Sequence, residues 1–454
     1  MKQILVIGAG PAGYPAALKA ASLGAQVVLV EKNKLGGVCL NAGCIPSKSM
    51  LDAAHRFSAA FSAVDFCAEG GQEKAQALFD MRDWDKIVAR QQAATRRLAQ
   101  GIGFLLKKAN VTVVEGTAEF ADEHTVVVHT AQGDQTFQPQ GIILATGSEA
   151  FLPPPFDQWK DTIYDNSTIF TMPALPASMV IVGGGVIGCE MADLFNALGV
   201  QVDILEMQPR ILPLEDSAAA RMVAQALSKR GVRFHLGVAA KEMQKTENGF
   251  SITLSDGTVL QTQTVLAAVG RSVDLSALQA QRAGIEWTRK GVKVNPQTLQ
   301  LKEHLYAAGD VTGLLQLAHA ATRQGEVAAA NLCGVPMQYH NESVPRAIYT
   351  TPELAAIGLT AEQAKAQGLT VKTHKTFFLA NGRAVAQGQT EGYVELVSEA
   401  DSGRLLGGVI VGGPASELIH VLAVALAAKM DITQLKEVIF AHPTFAESIA
   451  EAVH

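Results

Sequence analysis

A glycine-rich motif that occurs twice constrains the fold of this chain more than any other feature. In the first copy, a buried strand at residues 2–7 is followed by a turn that contains Gly8, Gly10 and Gly13. An alanine-rich helix at residues 15–23 comes next, and then a second strand that ends in the acid Glu31. In such a unit the first glycine permits a tight turn, the second lets a pyrophosphate approach the backbone, and the third lets helix and strand touch. The helix N-terminus adds free N–H groups. The motif predicts a dinucleotide site, with Glu31 placed to bind ribose hydroxyls.

The second copy repeats this order with Gly183, Gly185 and Gly188 after the strand 180–182. Its acid is Glu206, and in both copies the acid follows the last glycine by eighteen residues. A single glycine fingerprint also fits an ordinary strand-to-helix turn, but strand, spacing, helix and acid coincide here twice. The sequence therefore predicts an α/β protein with two Rossmann-like units that bind two dinucleotides.

The glycine motifs alone do not decide which nucleotide binds at which site. Glu206 favours NAD in the second unit, because a carboxylate accepts hydrogen bonds from a 2′-hydroxyl and repels a 2′-phosphate. Gln208 and Pro209 follow it, so Arg210 is the one cation close by in the sequence. This pattern favours NAD over NADP.

A pair of cysteines, Cys39 and Cys44, lies shortly after the first unit. Zinc binding is disfavoured, because four residues separate the pair, no second Cys or His pair follows, and Pro46 breaks the local geometry. A structural disulfide is an alternative, but a short-range pair in a reducing compartment is normally functional. Pro46 suits a first helical turn, which puts Cys44 at a helix N-terminus that stabilises a thiolate, with Lys48 on the same side. A thiolate beside a flavin can pass electrons to it while its partner exchanges with a substrate disulfide.

Composition argues against nucleic-acid-binding, membrane and secreted proteins. The 454 residues are 48% hydrophobic and 18% charged, with a net charge of −6 and no basic cluster, so we expect no nucleic-acid partner. No apolar stretch approaches the roughly 18 residues that cross a bilayer, so we expect no membrane association. The start of the chain lacks signal-peptide features, and five cysteines are too few for a secreted disulfide framework, which predicts a cytoplasmic protein. Cys67, Cys189 and Cys333 stand singly and are expected to be inert packing residues.

Further motifs appear in order along the chain: Ala145-Thr146-Gly147, Val269-Gly270-Arg271, Ala308-Gly309-Asp310, and His442-Pro443-Thr444 followed by Glu447. Together with the glycine units and the cysteine segment, they make the chain resemble the pyridine nucleotide–disulfide oxidoreductases over essentially its whole length. The resemblance implies FAD in the first unit, NAD in the second, and a C-terminal α+β dimerisation domain. It implies cofactor contacts at Gly8, Gly10, Gly13, Glu31, Lys48, Gly116, Thr146, Gly147, Gly183, Gly185, Gly188, Glu206, Gly270, Asp310 and Ala318.

The resemblance also implies roles for the reacting groups. Cys39 would be the interchange thiol and Cys44 the thiol next to the flavin. Lys48 would lie near flavin N5 and pair with Glu190. Asp310 would lie near the ribityl chain.

His442, held by Glu447, would be the acid/base contributed by the other subunit of a homodimer. Without the resemblance, a histidine before Pro443 would be an ordinary loop residue. Its chemistry is suitable in its own right, because an imidazole takes a thiol proton near neutral pH and a carboxylate orients it.

Ile45 and Ser47, with the stretches 376–384 and 406–420, favour the branch of the family that acts on lipoyl groups. The implied reaction is oxidation of protein-bound dihydrolipoamide, with electrons passing through the Cys39–Cys44 disulfide and FAD to NAD⁺. The implied partner is a lipoyl-bearing domain of a 2-oxoacid dehydrogenase or glycine-cleavage complex. Two alternatives remain: an NADH-dependent reductase of another low-molecular-weight disulfide, and a non-catalytic flavin- and nucleotide-binding subunit that senses redox state.

The chain departs from the family pattern at three places: Val38 where threonine is usual, Phe440 where histidine is common, and residues 272–274. The family pattern predicts an FAD-binding domain at 1–150, an NAD-binding domain at 151–271, a central segment returning to FAD at 272–340, and an interface domain at 341–454.

Overall fold

The structure is a computed structural model that describes residues 1–67 and 69–454. Its helices are α1 (Gly13–Ser22), α2 (Gly37–Ala42), α3 (Cys44–Ser62), α4 (Gly71–Asp80), α5 (Trp84–Lys108), α6 (Val186–Ala197), α7 (Ser217–Lys229), α8 (Ala318–Leu332), α9 (Ala361–Ala366), α10 (Gly382–Gln387), α11 (Ala415–Ala427), α12 (Ile432–Lys436) and α13 (Glu447–Ala452).

The strands of the first half are β1 (Gln3–Ile7), β2 (Gln26–Glu31), β3 (Thr112–Glu115), β4 (Thr117–Phe120), β5 (Val126–Thr130), β6 (Gly133–Phe137), β7 (Gly141–Leu144), β8 (Glu149–Ala150), β9 (Tyr164–Asp165), β10 (Ser178–Val182), β11 (Gln201–Glu206) and β12 (Arg233–Leu236). Those of the second half are β13 (Ala240–Thr246), β14 (Gly249–Leu254), β15 (Val259–Thr262), β16 (Thr264–Ala267), β17 (Arg271–Ser272), β18 (Trp287–Thr288), β19 (Gly291–Val292), β20 (Gln300–Lys302), β21 (Leu305–Ala307), β22 (Arg346–Ile348), β23 (Leu354–Gly358), β24 (Val371–Phe377), β25 (Tyr393–Glu399) and β26 (Leu405–Val411).

The first sheet has the strand order β20-β21-β7-β1-β2-β3, and all its pairs except β20–β21 are parallel. Its central strand β1 is apolar and buried from Ile4 to Ile7, as expected for a strand covered on both faces. Strand order reverses at β1, which has β2 on one side and β7 on the other. Ligands of open α/β sheets bind at such a switch point. Strand β21 brings a late segment of the chain back to this sheet.

The second sheet has the order β12-β11-β10-β16-β9 with parallel pairs, and its order reverses at β10 in the same way. Each sheet is extended by a three-stranded antiparallel sheet, β4-β5-β6 and β13-β14-β15. The prediction of two Rossmann-like units is confirmed.

The C-terminal part is an antiparallel sheet of order β22-β23-β26-β25-β24, on which α11 and α13 pack. The α+β prediction for this region is therefore confirmed. The boundaries at 150, 271 and 340 stay predictions. Among the residues described, no helix combines the length and the apolar character needed to cross a membrane.

One hydrophobic core fixes the helix that carries Cys44. Met50 and Ala54 of α3 pack with Phe195 of α6 and with Leu354 and Val411 of the C-terminal sheet, all at most 1% exposed. Because close-packed cores resist displacement, α3 is held against both the second unit and the C-terminal sheet.

Candidate active site

The outer glycines of each motif lie where no other residue fits. Gly8 has φ +102°, and a Cβ there would lie 2.3 Å from the oxygen of Ala145. A Cβ at Gly13 would lie 1.7 Å from the oxygen of Gly8. Gly183 and Gly188 repeat the arrangement, with distances of 2.4 and 1.9 Å to backbone oxygens. These glycines make the turns that aim the N-termini of α1 and α6 at the carboxyl ends of β1 and β10.

The middle glycines face open space. A Cβ at Gly185 would meet no atom within 4 Å, and one at Gly10 would come no closer than 3.8 Å to Gly37. Gly147 and Gly270, at positive φ, also have nothing within 4 Å. Two cradles at helix N-termini, open at the glycine that lets a phosphate approach, have the shape that two dinucleotides require. The residues present therefore fit FAD and NAD.

The two acids are held by their own glycine turns. One oxygen of Glu31 accepts from the N–H of Ala9 at 2.7 Å and the other from Asn33 at 2.8 Å. Glu206 repeats this, accepting from Gly184 at 2.6 Å and from a backbone N–H two residues further on at 2.7 Å. Each carboxylate is thereby fixed beside its turn, at the end of the second strand of the unit.

The cation near Glu206, Arg210, is hydrogen-bonded to the backbone. The Arg210 guanidinium donates to the carbonyls of Leu212, Pro213 and Glu215 at 2.9, 2.8 and 3.0 Å. Donors used in this way are not free to bind a 2′-phosphate, which agrees with a preference for NAD.

The two cysteines lie on two consecutive helices. Cys39 is in the short helix α2, which starts after Gly36 at φ +93°, and Cys44 is the first residue of α3. A Cβ at Gly43 would lie 3.0 Å from the oxygen of Val38, so a glycine allows α3 to begin this close to α2. We expected the helix at Cys44 but not α2, whose six residues carry no clear periodicity.

In the reduced pair, the two sulfurs differ in acidity. Hydrogen bonding to Cys39, the Lys48 charge and the backbone N–H of Cys44 lower the pKa of Cys44 to about 7, against the opposing effect of burial. Hydrogen bonding to Cys44 and burial raise the pKa of Cys39. Cys44, at the helix N-terminus, is therefore the thiolate of the pair near neutral pH.

Lys48 and Glu190 join α3 to α6. The Lys48 Nζ lies 2.7 Å from Glu190 Oε2, and the glutamate side chain is 5% exposed. The other Glu190 oxygen accepts from the N–H of Tyr349 at 3.1 Å, and the Lys48 Nζ lies 4.5 Å from the centroid of the Tyr349 ring. No sequence motif pointed to Tyr349.

Asp310 lies in a polar group that the sequence motifs only partly indicated. Its Oδ2 accepts from the Ser148 hydroxyl at 2.5 Å and lies 3.6 Å from the Nε of Arg271. The same Arg271 nitrogen donates to Ser148 at 2.7 Å. Ser148 follows Gly147 directly, so the segment at Thr146 and the Asp310 turn are tied together.

The remaining cofactor candidates lie around the first cradle. Ala318 is the first residue of α8, which packs against α1, and a Cβ at Gly325 would lie 2.1 Å from the oxygen of Ala12. Gly116 donates to the Glu31 carbonyl at 3.0 Å. Its missing Cβ would lie 2.5 Å from a backbone oxygen of His129, which explains the glycine by packing.

His442 and Glu447 form a pair at the start of α13. The His442 Nδ1 lies 2.9 Å from Glu447 Oε1, and the second glutamate oxygen accepts from the Thr444 N–H at 2.7 Å. These bonds, that from Thr444 first, lower the pKa of the Glu447 carboxyl. The His442 side chain is 77% exposed, and within the described residues no hydrogen bond joins it to Cys39 or Cys44.

The departures from the family pattern have ordinary surroundings. Phe440 packs at the edge of the C-terminal core, Val273 is 3% exposed, and Asp274 accepts from the Ser276 N–H at 2.9 Å. Val38 is 40% exposed beside Cys39.

The expectation that Cys67 is a packing residue is wrong, because it ends the 3₁₀ turn after α3 at the surface.

Comparison with known proteins agrees with this geometry. The family model described as pyridine nucleotide-disulphide oxidoreductase matches residues 2–325, and the dimerisation-domain model of the same family matches residues 344–453. The chain is 38% identical to a dihydrolipoyl dehydrogenase of Bacillus subtilis over 455 residues, covering 99% of this chain and 97% of the relative. It is also 38% identical to a dihydrolipoyl dehydrogenase of Halobacterium salinarum over 459 residues, covering 99% and 95%.

Solved structures show the same likeness over the whole chain. LpdA of Mycobacterium tuberculosis superposes with a TM-score of 0.92 at 27% identity, covering 100% of this chain and 99% of that one. The HOCl-induced flavoprotein disulfide reductase RclA of Escherichia coli superposes with a TM-score of 0.87 at 27% identity, covering 99% of each chain.

Proposed function

This chain belongs to the pyridine nucleotide-disulphide oxidoreductases, and on that premise we propose that it oxidises a protein-bound dihydrolipoyl group with NAD⁺. The dithiol loses two electrons and two protons and becomes a disulfide, while NAD⁺ gains a hydride and one proton is released. Bound FAD supplies the two-electron transfer between thiolate and nicotinamide that no side chain performs. The observation that carries the proposal is the Cys39 and Cys44 pair, with its acidic member at a helix N-terminus in a chain similar over its full length to dihydrolipoyl dehydrogenases.

We propose that the first cradle holds FAD and the second NAD. Gly8, Gly10, Gly13 and Glu31 would bind the adenosine half of FAD through the α1 turn, while Asp310 would bind its ribityl side. The equivalent set for NAD is Gly183, Gly185, Gly188 and Glu206. Thr146, Gly147, Gly270, Gly116 and Ala318 would line these sites. We propose the domain division at residues 150, 271 and 340 on the same grounds.

Cys39 would exchange with the substrate dithiol, because its partner Cys44 is the sulfur stabilised as a thiolate. A lipoyl thiolate would attack the Cys39 sulfur of the oxidised Cys39–Cys44 pair, forming a mixed disulfide and breaking the Cys39–Cys44 bond, so that Cys44 leaves as the thiolate with the electron pair. The Lys48 ammonium, fixed by Glu190, would stabilise that charge next to the flavin. These roles agree with the lowered pKa of Cys44.

His442 would take the proton of the attacking dithiol. Glu447 would hold its Nδ1–H, leaving Nε2 to accept the proton. Because the imidazole is exposed in the single chain, we propose that it acts on the cysteines of a second copy in a homodimer. The substrate-bearing partner would be the lipoyl domain of a 2-oxoacid dehydrogenase or glycine-cleavage complex, in the cytoplasm.

A direct assay tests this function. The purified protein loaded with FAD should reduce NAD⁺ with free dihydrolipoamide, followed at the absorbance of NADH. Cys67→Ser is a matched control that removes an exposed cysteine and should not change the rate. Reduction of other small disulfides by NADH without dihydrolipoamide turnover would support a different substrate, and no turnover with any of them would support a non-catalytic subunit.

A change of nucleotide preference is expected from Glu206→Gln combined with Met207→Arg. The pair removes the charge that repels a 2′-phosphate and adds a cation at a position that is 70% exposed. The ratio of kcat/KM for NADP to that for NAD should rise by about tenfold or more, equivalent to about 1.4 kcal/mol. Met207→Arg alone, with the carboxylate kept, should change the ratio less. A wild type that already uses both nucleotides equally would contradict the ribose role of Glu206.

A further inference from the structure

The contact between α3 and α6 contains two hydrogen-bonded side-chain pairs in register. Lys48 meets Glu190, and seven residues along α3 the Nε2 of His55 lies 2.9 Å from Oδ2 of Asp193. Asp193 is fully buried, and its other oxygen lies 2.5 Å from Arg230. A helix repeats its face every three to four residues, so each helix presents both of its partners on one side.

A segment of the C-terminal region, Tyr349 to Thr351, contacts both pairs. The Tyr349 N–H donates to Glu190 and the Thr351 N–H to Asp193, each at 3.1 Å. The Thr351 hydroxyl also lies 3.2 Å from the His55 Nε2. The segment follows strand β22, whose last residue is 1% exposed in the shared core. It is therefore anchored at its start by packing and along its length by two carboxylates.

The Tyr349 side chain contacts the Lys48 ammonium, whereas the Tyr349 backbone binds Glu190. Its ring lies 4.5 Å from the Lys48 Nζ, within the range of a cation–π contact. A lysine ammonium sits on a flexible four-carbon stem and takes up many positions unless it is held. Here the ring and Glu190 restrict it together, and the backbone bond to Tyr349 fixes Glu190.

We propose that Tyr349 is a positioning residue whose ring holds the Lys48 ammonium group at a fixed place relative to the Cys44 sulfur. The proposal rests on the function proposed above for Cys44. Through Tyr349, the C-terminal region acts on the charge that stabilises the thiolate in the N-terminal region.

The charges around Cys44 make this position important. The Lys48 charge lowers the pKa of Cys44 and the Glu190 charge raises it. If the ammonium moved away from Cys44, it would offset less of the Glu190 effect, and the pKa of Cys44 would rise. Cys39 is the third titratable group facing Cys44. Glu353 and Glu417, with Glu190, are the acids whose charges act on the Tyr349 hydroxyl.

The test compares Tyr349→Leu with Tyr349→Phe in the FAD-loaded Cys39→Ser protein. Both keep the backbone bond to Glu190, but only phenylalanine keeps an aromatic ring. The rate of Cys44 alkylation by iodoacetamide is followed against pH by peptide mass spectrometry. The midpoint should rise by about one pH unit in Tyr349→Leu, because the thiolate loses part of a nearby opposite charge. It should stay within about 0.2 of the Cys39→Ser parent in Tyr349→Phe.

Cys67 in the same sample is the internal control, because it is exposed and its alkylation midpoint should not move. Equal midpoints for the leucine and parent proteins would overturn the proposal, as would equal shifts for leucine and phenylalanine. If Tyr349→Leu does not retain FAD, Tyr349→Met, which is unbranched, takes its place with the same expected shift. The measurement uses no dihydrolipoyl substrate, so a wild type without turnover would contradict the proposed function and leave this result unaffected.

Discussion

Cys39→Ser is expected to lower dihydrolipoamide turnover at least about 1000-fold while FAD stays bound. A serine hydroxyl does not form the mixed disulfide with the substrate, and loss of a nucleophile typically removes most of the rate enhancement. The glycine cradles and Asp310 are not altered, so the amount of bound flavin should be unchanged. Turnover is measured with dihydrolipoamide and NAD⁺, and bound FAD by its release on denaturation.

The same variant should display the Cys44 thiolate directly. A thiolate in contact with an oxidised flavin gives long-wavelength absorbance, which should appear here without added reductant. The pKa of Cys44 is about 7 with Cys39 present, and hydrogen bonding to Cys39 is the first cause of its lowering. Removing that sulfur should raise the pKa, so the band should grow as pH rises, with a midpoint above 7.

Cys44→Ser is the matched comparison, since it also leaves one thiol in the pair. Burial raises the pKa of Cys39, which lies third in the six-residue helix α2, whereas Cys44 is the first residue of the 19-residue helix α3. Cys44→Ser should therefore show no long-wavelength band near neutral pH. A band in Cys44→Ser and none in Cys39→Ser would mean that the roles of the two sulfurs are reversed.

The features predicted from sequence are those with a local pattern. The glycine turns are set by backbone conformation, as at Gly8 and Gly183, where positive φ and a close oxygen exclude any side chain. The helix at Cys44 followed from Pro46 two residues later. Such signals lie within a few residues of each other, so they are visible before the chain is folded.

The features that were missed depend on contacts between distant segments. Tyr349 meets a lysine 301 positions away in sequence, and Ser148 meets Asp310 across 162 positions. Neither residue belongs to a pattern of spacing. Packing of α3, α6 and the C-terminal sheet brings Tyr349 to Lys48, and pairing of β7 with β21 in the first sheet brings Ser148 to Asp310. The Lys48 and Glu190 pair was expected only because of the resemblance to a family, not from any local signal.

The second large effect concerns which chain supplies the base. His442→Gln should lower turnover by about 100-fold or more, since general-base catalysis contributes about that much. Glutamine keeps the polar contact with Glu447 but takes up no proton. Cys44→Ser should also be inactive alone. The two lesions lie at opposite ends of the chain, in regions that we propose to meet only across a dimer.

Mixing these two inactive proteins should restore activity if the site is shared. In a heterodimer, the cysteines of the His442→Gln chain face the histidine of the Cys44→Ser chain, which completes one site, while the other site has neither. Random exchange of a 1:1 mixture makes half of the dimers mixed, so activity should reach about a quarter of the wild-type value. The exchange is done by reversible dissociation, and heterodimers are counted by differently sized tags.

A mixture of Cys39→Ser with Cys44→Ser chains is the control. It tests whether recovered activity comes from a site completed by two chains or only from stabilisation of one chain by its partner. Both of its sites carry a broken cysteine pair whichever chain supplies the histidine, so it should stay inactive even when heterodimers form. Activity that stays absent from both mixtures, with heterodimers demonstrated, would mean that His442 acts within its own chain or that another residue is the base. The exposed imidazole favours the shared site: among residues 1–67 and 69–454 no hydrogen bond is made by its Nε2, so this nitrogen is available to a dithiol bound at the cysteines of another chain.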